Sequence, residues 1–98
     1  EQSSLAQRVK SLIGIHLGHR RVTVALLAAD LGMAARTLQR RLAEEGTSLR
    51  SLVEEYRRDI VEMQMKAGTR KMRIADTLGY ADSTVLWRAR KRWRHFDE

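Results

Sequence analysis

The 98 residues contain neither cysteine nor proline. Without thiols a disulfide scaffold, a thiolate zinc site and a cysteine nucleophile are excluded together, and a reducing cytoplasm is compatible with the chain. Aromatic residues amount to 5%, and with no low-complexity tract and no Gly/Ser linker the signals for strands and hairpins are poor throughout. No apolar run approaches the ~20 residues that cross a bilayer. Glu1-Gln2-Ser3-Ser4 is not a signal peptide, and the lack of an initiator Met leads us to expect a start inside a longer protein. The patterns GxGxxG, P-loop and nucleophile elbow are missing, so neither an enzyme nor a cofactor is expected. Acidic residues are the scarcer sign of charge: twelve Asp+Glu face nineteen Lys+Arg, a net charge of +7 and a pI near 10.8. Such a balance points to a polyanionic partner, nucleic acid ahead of an anionic membrane.

What is present suffices for a core, since 43% of residues are hydrophobic and 32% charged. The length fits one domain, or two very small subdomains sharing an element, and leaves no room for a two-lobed enzyme. An all-helical fold follows. Gly18, Gly32, Gly46 and Gly79 each follow a periodic apolar stretch, where a C-terminal cap residue with positive φ belongs.

A first helix is expected from about Leu5 to Leu17, capped by Ser3 or Ser4, with Leu5, Val9, Leu12 and Ile13 on one face. Thr23 should cap a short second helix, Val24 to Leu31, and a third runs from about Ala35 to Glu45 with Leu38 and Leu42 turned inward. The longest periodic segment, Ser48 to about Lys66, places Leu49, Leu52, Val53, Tyr56, Ile60 and Met63 on one stripe. After Gly68 a helix from about Arg70 to Leu78, with Thr69 as its cap, is followed by another from about Ser83 to Arg94. The expected division is a first subdomain over 5–46, a linker helix over 48–66 and a second subdomain over 69–96.

The chain repeats itself. A slide of 47 residues places Ala28 on Ala75, Leu31 on Leu78, Gly32 on Gly79, Ala34 on Ala81, Thr37 on Thr84 and Arg41 on Arg88. A slide of 48 instead pairs Leu38 with Leu86 and Arg40 with Arg88, as a turn one residue longer in the second copy would require, and the sequence leaves that register open. Charge follows the same division: residues 1–48 carry +3, 49–68 are neutral and 69–98 carry +4. In each copy a small residue sits four positions before a Gly, which lets a second helix cross the first steeply, with Leu27, Leu31 and Leu38, or Ile74, Leu78 and Leu86, holding the angle. This is the pattern of a helix-turn-helix.

The stretch from Leu26-Leu27-Ala28-Ala29-Asp30-Leu31-Gly32 through Thr37-Leu38-Gln39-Arg40-Arg41-Leu42 closely resembles the first helix-turn-helix of AraC/XylS-type transcription regulators. In the second copy Ile74-Ala75, Leu78-Gly79-Tyr80, Asp82, Arg88 and Lys91-Arg92-Trp93 resemble that family's signature segment. The resemblance covers roughly residues 5–93. It implies a homeodomain-like, all-α fold of six to seven helices, in which two helix-turn-helix units joined by the long helix insert their second helices into adjacent major grooves of double-stranded DNA. It also implies contact with RNA polymerase, an effector or dimerisation domain upstream, and a cytoplasmic place on the bacterial nucleoid. The chain departs from the family in carrying Arg90 where a second Phe is usual, Ala34 and Ala81 where Ser caps are usual, and no closing Ser-Pro segment. Asp82 is positioned to replace the second missing cap, and Arg90 to bury its stem while its head stays in solvent.

With Leu38 and Leu42 inward, Arg36, Gln39 and Arg40 share the opposite face with Ala43. Arg can donate two hydrogen bonds to guanine and Gln can pair with adenine, so these three are candidate base readers, the alternative being a solvated basic face. Arg41 is assigned to phosphate or to an acidic neighbour. In the last helix Ser83, Thr84, Arg88 and Lys91 lie along one face, and the resemblance implies base contacts at Ser83, Thr84 and Arg88. Arg88 has the alternative of an ion pair with Asp76 or Asp82, whereas Lys91, Arg92 and Arg94 are assigned to phosphates. Trp87 has two open fates, against thymine methyls or over the domain's own core, and the core is the commoner one.

His16 and His19 lack a third ligand, so no metal is expected. Glu44-Glu45 and Glu54-Glu55 read as exposed faces, and Met33, Met63, Met65 and Met72 as core or boundary residues. One competing reading is a nonspecific or architectural nucleic-acid binder. Another is a helical protein-interaction module built on the linker helix with Met63 and Met65.

Overall fold

Short polar residues placed before apolar, periodic stretches dictate where the helices begin. A computed structural model describes residues 4–97, with side chains to residue 93. Ser4 accepts a hydrogen bond from the Gln7 amide and opens α1 (Leu5–His16); Thr23 accepts from the Leu26 amide and opens α2 (Val24–Leu31). Then follow α3 (Ala35–Glu44), α4 (Leu49–Lys66), α5 (Lys71–Thr77) and α6 (Ser83–Asp97). Ser48 stands just outside α4, its hydroxyl accepting from the Ser51 amide. Among the described residues all regular structure is helical, and none of these helices is long and apolar enough to cross a membrane.

The expected helices form within a residue of their limits, except that α6 runs three residues past the expected Arg94, and one cap differs. Thr69 does not cap α5: its hydroxyl bonds to the Gln64 side chain, and Arg70 stands at the cap with no side-chain bond.

The chain divides into two compact units, Glu1–Tyr56 and Arg57–Glu98, and the division falls inside α4. In the first unit α1, α2 and α3 pack against one another around Val9, Ile13, Leu27, Ala28, Leu38 and Leu42, all essentially inaccessible. Each of the buried Val, Ile and Leu side chains contributes about 1.5–3 kcal/mol relative to exposure. Gly14 admits the Tyr56 ring, because a Cβ there would lie 3.1 Å from Tyr56 Cε1. Lys10 pairs with Glu55 at 3.7 Å, and the Glu45 carboxylate accepts a bond from the Ala6 amide in the first turn of α1. Glu45 therefore helps to satisfy a helix start as well as standing exposed.

In the second unit α5 packs on α6 around Ile74, Ala75, Leu78, Leu86, Ala89 and Trp93. Val61 is the buried residue of α4 here, whereas Met63 is 55% exposed and Met72 74% exposed. Those two methionines are on the surface and fill no core, contrary to expectation; the α4 stripe passes through Val61 in place of Met63.

Candidate nucleic-acid interface

The two helix pairs α2–α3 and α5–α6 are built by the same local device. Gly32 has φ 69° and ψ 33°, and Gly79 has φ 79°, the left-handed conformation that costs any residue with a Cβ about 1–2 kcal/mol. The chain reversal is fastened identically: the Met33 amide donates to the Ala28 carbonyl and the Tyr80 amide to the Ala75 carbonyl, both at 2.9 Å. Ala28 and Ala75 are also buried, so the small residue that starts each motif closes the turn with its carbonyl and lets the crossing helix approach with its methyl.

Beyond the glycines the copies differ by one residue. From Gly32 the next helix begins at Ala35, and from Gly79 it begins at Ser83. A slide of 47 is therefore correct up to the turn and a slide of 48 after it, which settles the register left open by the sequence. Leu38 corresponds to Leu86, both buried; Arg40 corresponds to Arg88, Arg36 to Thr84, Gln39 to Trp87 and Leu42 to Arg90. Matching Arg41 with Arg88 is wrong, because Arg41 takes the place of the buried Ala89.

The extra turn residue explains the caps. Asp82 accepts hydrogen bonds from the Thr84 amide at 2.8 Å and the Val85 amide at 3.1 Å, replacing the Ser absent at Ala81. Ala34 stands at the start of α3 with cap-type backbone angles and no side-chain bond. The missing cap at α3 is real, and that at α6 is restored by one residue's displacement.

On α3 the inward Leu38 and Leu42 leave Arg36, Gln39, Arg40 and Arg41 exposed. Arg36, Gln39 and Arg40 share one face, as their spacing predicts. On α6 Thr84, Arg88 and Lys91 are exposed and Ser83 is half-buried; they line an open depression of about 380 Å³ together with Lys71 and Trp87. No ion pair joins Arg88 to Asp76 or Asp82 among the described residues, and Asp82 is occupied as a cap. Arg92 is exposed, and the side chain of Arg94 lies outside those described.

Trp87 does not take the commoner of its two expected places. It is not in the core, where Trp93 lies 6% exposed, but at the surface, 38% exposed. The Lys71 ammonium sits 4.1 Å from its ring centroid and the Arg90 guanidinium carbon 5.3 Å. Arg90 does not send its head into solvent either: it approaches Glu62 at 3.5 Å, its side chain is 20% exposed, and its buried Nε has no hydrogen-bond partner. Sequence reasoning missed Lys71, because it stands on α5 and only the α5–α6 crossing brings it to Trp87. In the first unit His16 bonds through Nε2 to Asp30 at 2.7 Å, and no group of three metal-ligating side chains occurs among the described residues.

No protein-family model matches the chain. A helix-turn-helix-type transcriptional regulator of Mycobacterium bovis and Mycobacterium tuberculosis is 41% identical over 68 residues, which are 68% of this chain and 20% of that protein. The helix-turn-helix-type transcriptional regulator VirS of Mycobacterium tuberculosis is 35% identical over 92 residues, 93% of this chain and 27% of VirS. The chain thus spans between a fifth and about three-tenths of the length of these curated relatives. Among solved structures, a DNA-binding transcriptional dual regulator from Escherichia coli K-12 superposes with a TM-score of 0.81 at 26% identity, covering 94% of this chain and 88% of the other. The homologues of this chain are helix-turn-helix-type transcriptional regulators, and a DNA-binding regulator is among its structural neighbours.

Proposed function

We propose that the chain is a sequence-specific double-stranded-DNA-binding domain of an AraC/XylS-type transcription regulator, with α3 and α6 as its recognition helices. The observation that carries this reading is the repetition: two helix pairs closed by the same glycine turn, each presenting an exposed Arg at the sixth helical position, Arg40 and Arg88. In this reading residues 5–46 and 69–96 are the two reading subdomains and 48–66 the helix that connects them. Arg36, Gln39 and Arg40, with Ser83, Thr84 and Arg88, meet base edges in adjacent major grooves, where donor and acceptor patterns distinguish all four base pairs. Arg41, Lys91, Arg92 and Arg94 neutralise phosphates, which sets affinity and orientation. Because the two units follow one another along one chain, a single copy reads an asymmetric site of two blocks about 10 base pairs apart. By resemblance, RNA polymerase is a partner of the bound domain, effector binding and dimerisation belong to an upstream domain, and the place of action is the cytoplasm.

Nuclear magnetic resonance of the labelled chain titrated with duplex DNA tests this assignment. Shifts are expected on the faces of α3 and α6 that carry Arg36, Gln39, Arg40, Thr84 and Arg88, with little change around Ile15 on α1. Saturable binding that leaves both of those faces unperturbed would overturn it.

A further inference from the structure

The fifth residue of α3 is Gln39, a polar group suited to a base edge; the fifth residue of α6 is Trp87. A Trp at the corresponding position cannot make the donor–acceptor pair of hydrogen bonds available to Gln, because its indole carries a single donor and no acceptor. What it offers is apolar area. The ring lies at the surface beside Ser83, Thr84, Arg88 and Lys91, in the depression that the recognition face of the second unit forms.

The ring is also held in place. Lys71 from α5 stands over it at 4.1 Å, and Arg90, one turn along α6, approaches at 5.3 Å while Glu62 holds the guanidinium at 3.5 Å. With Glu62 about half exposed, that ion pair adds little stability. Its consequence is geometric: two cations from separate sources restrict one exposed indole, so its apolar edge is presented with little conformational freedom left to lose on binding. The major-groove surface of DNA is polar except for one group, the thymine methyl.

We infer that Trp87 is a specificity-determining residue of the second unit, reading a thymine methyl in the block that α6 contacts, with Lys71 and Arg90 positioning its ring. This rests on the proposal that α6 reads bases. It goes beyond that proposal by assigning the second block a methyl-bearing base and by making its readout partly apolar, where that of the first block is through hydrogen bonds.

The test takes the duplex selected by the chain from a random pool and replaces each thymine of the second block, one at a time, by deoxyuridine, which removes only the methyl. Affinity is read by fluorescence anisotropy for the wild type, Trp87→Ala and Trp87→Gln, and circular dichroism checks the fold of each variant. One substitution should weaken the wild type about fourfold, the factor that corresponds to burying one methyl-sized apolar group. Both variants should bind thymine and deoxyuridine duplexes equally while keeping wild-type preference in the first block. A second block without a required thymine, or deoxyuridine substitution without effect on the wild type, would overturn the Trp87 assignment alone. Persistence of the methyl preference in both variants would overturn it as well. A pool from which nothing is enriched would overturn the base-reading proposal on which it stands.

Discussion

Replacing Arg40 by Ala separates base reading from simple charge. Arg40 lies in the middle of α3, exposed, and its side chain forms no hydrogen bond or ion pair with other described residues. Its neighbours Leu38 and Leu42 carry the packing, at 0% and 1% exposure. Removing the side chain should therefore change stability by no more than about 0.5 kcal/mol, as at other surface positions. If the guanidinium donates two hydrogen bonds to a guanine, its loss costs about 1–3 kcal/mol of discrimination, roughly a fivefold to 150-fold drop in affinity for the preferred duplex. A scrambled duplex should lose only the contribution of one positive charge, visible as a change in the salt dependence. The assay is anisotropy on both duplexes across a salt series, with thermal melting to show that the variant is folded. Equal weakening on both duplexes would refute base reading by Arg40 and leave it a phosphate contact.

Three further substitutions follow from the same geometry. Ala34→Ser supplies the side-chain cap that α3 lacks at a position whose backbone already has cap geometry; it should stabilise the first unit by about 0.5–2 kcal/mol, read as a higher melting temperature. Gly32→Ala places a Cβ at φ 69° with no steric neighbour within 4 Å, so the whole effect is backbone strain, a loss of about 1–2 kcal/mol in chemical denaturation. Lys91→Ala should weaken binding to all duplexes alike and reduce the slope of log affinity against log salt by about 0.9; a loss confined to the preferred duplex would reassign Lys91 to a base.

Much of this fold was written in local signals. Ser4, Thr23 and the positive-φ glycines are read within four residues of where they act, and the helices begin and end accordingly. The repeat was legible because Ala28 and Ala75, Gly32 and Gly79 serve the same backbone hydrogen bond. Its register was not, because the extra residue lies in the turn and only the start of α6 at Ser83 reveals which side carries it. The faces of α3 and α6 followed from helical periodicity alone. Trp87 and Arg90 did not: a large aromatic at helical spacing normally marks a core, and here Trp93 holds the core position while Lys71 stands over Trp87 at the surface and Glu62 draws the half-buried Arg90 head to itself, each from another helix. Contacts between elements distant in sequence leave no periodic trace. Met63 illustrates the same limit, since Val61 two residues earlier takes the buried position.

The central claim is that two helix-turn-helix units in one chain read bases, and selection of bound duplexes from a random double-stranded pool at near-physiological salt tests it most directly. Two enriched blocks about one helical turn apart, unrelated by a two-fold axis, are expected. Salt-sensitive retention of the pool with no enriched sequence would contradict it.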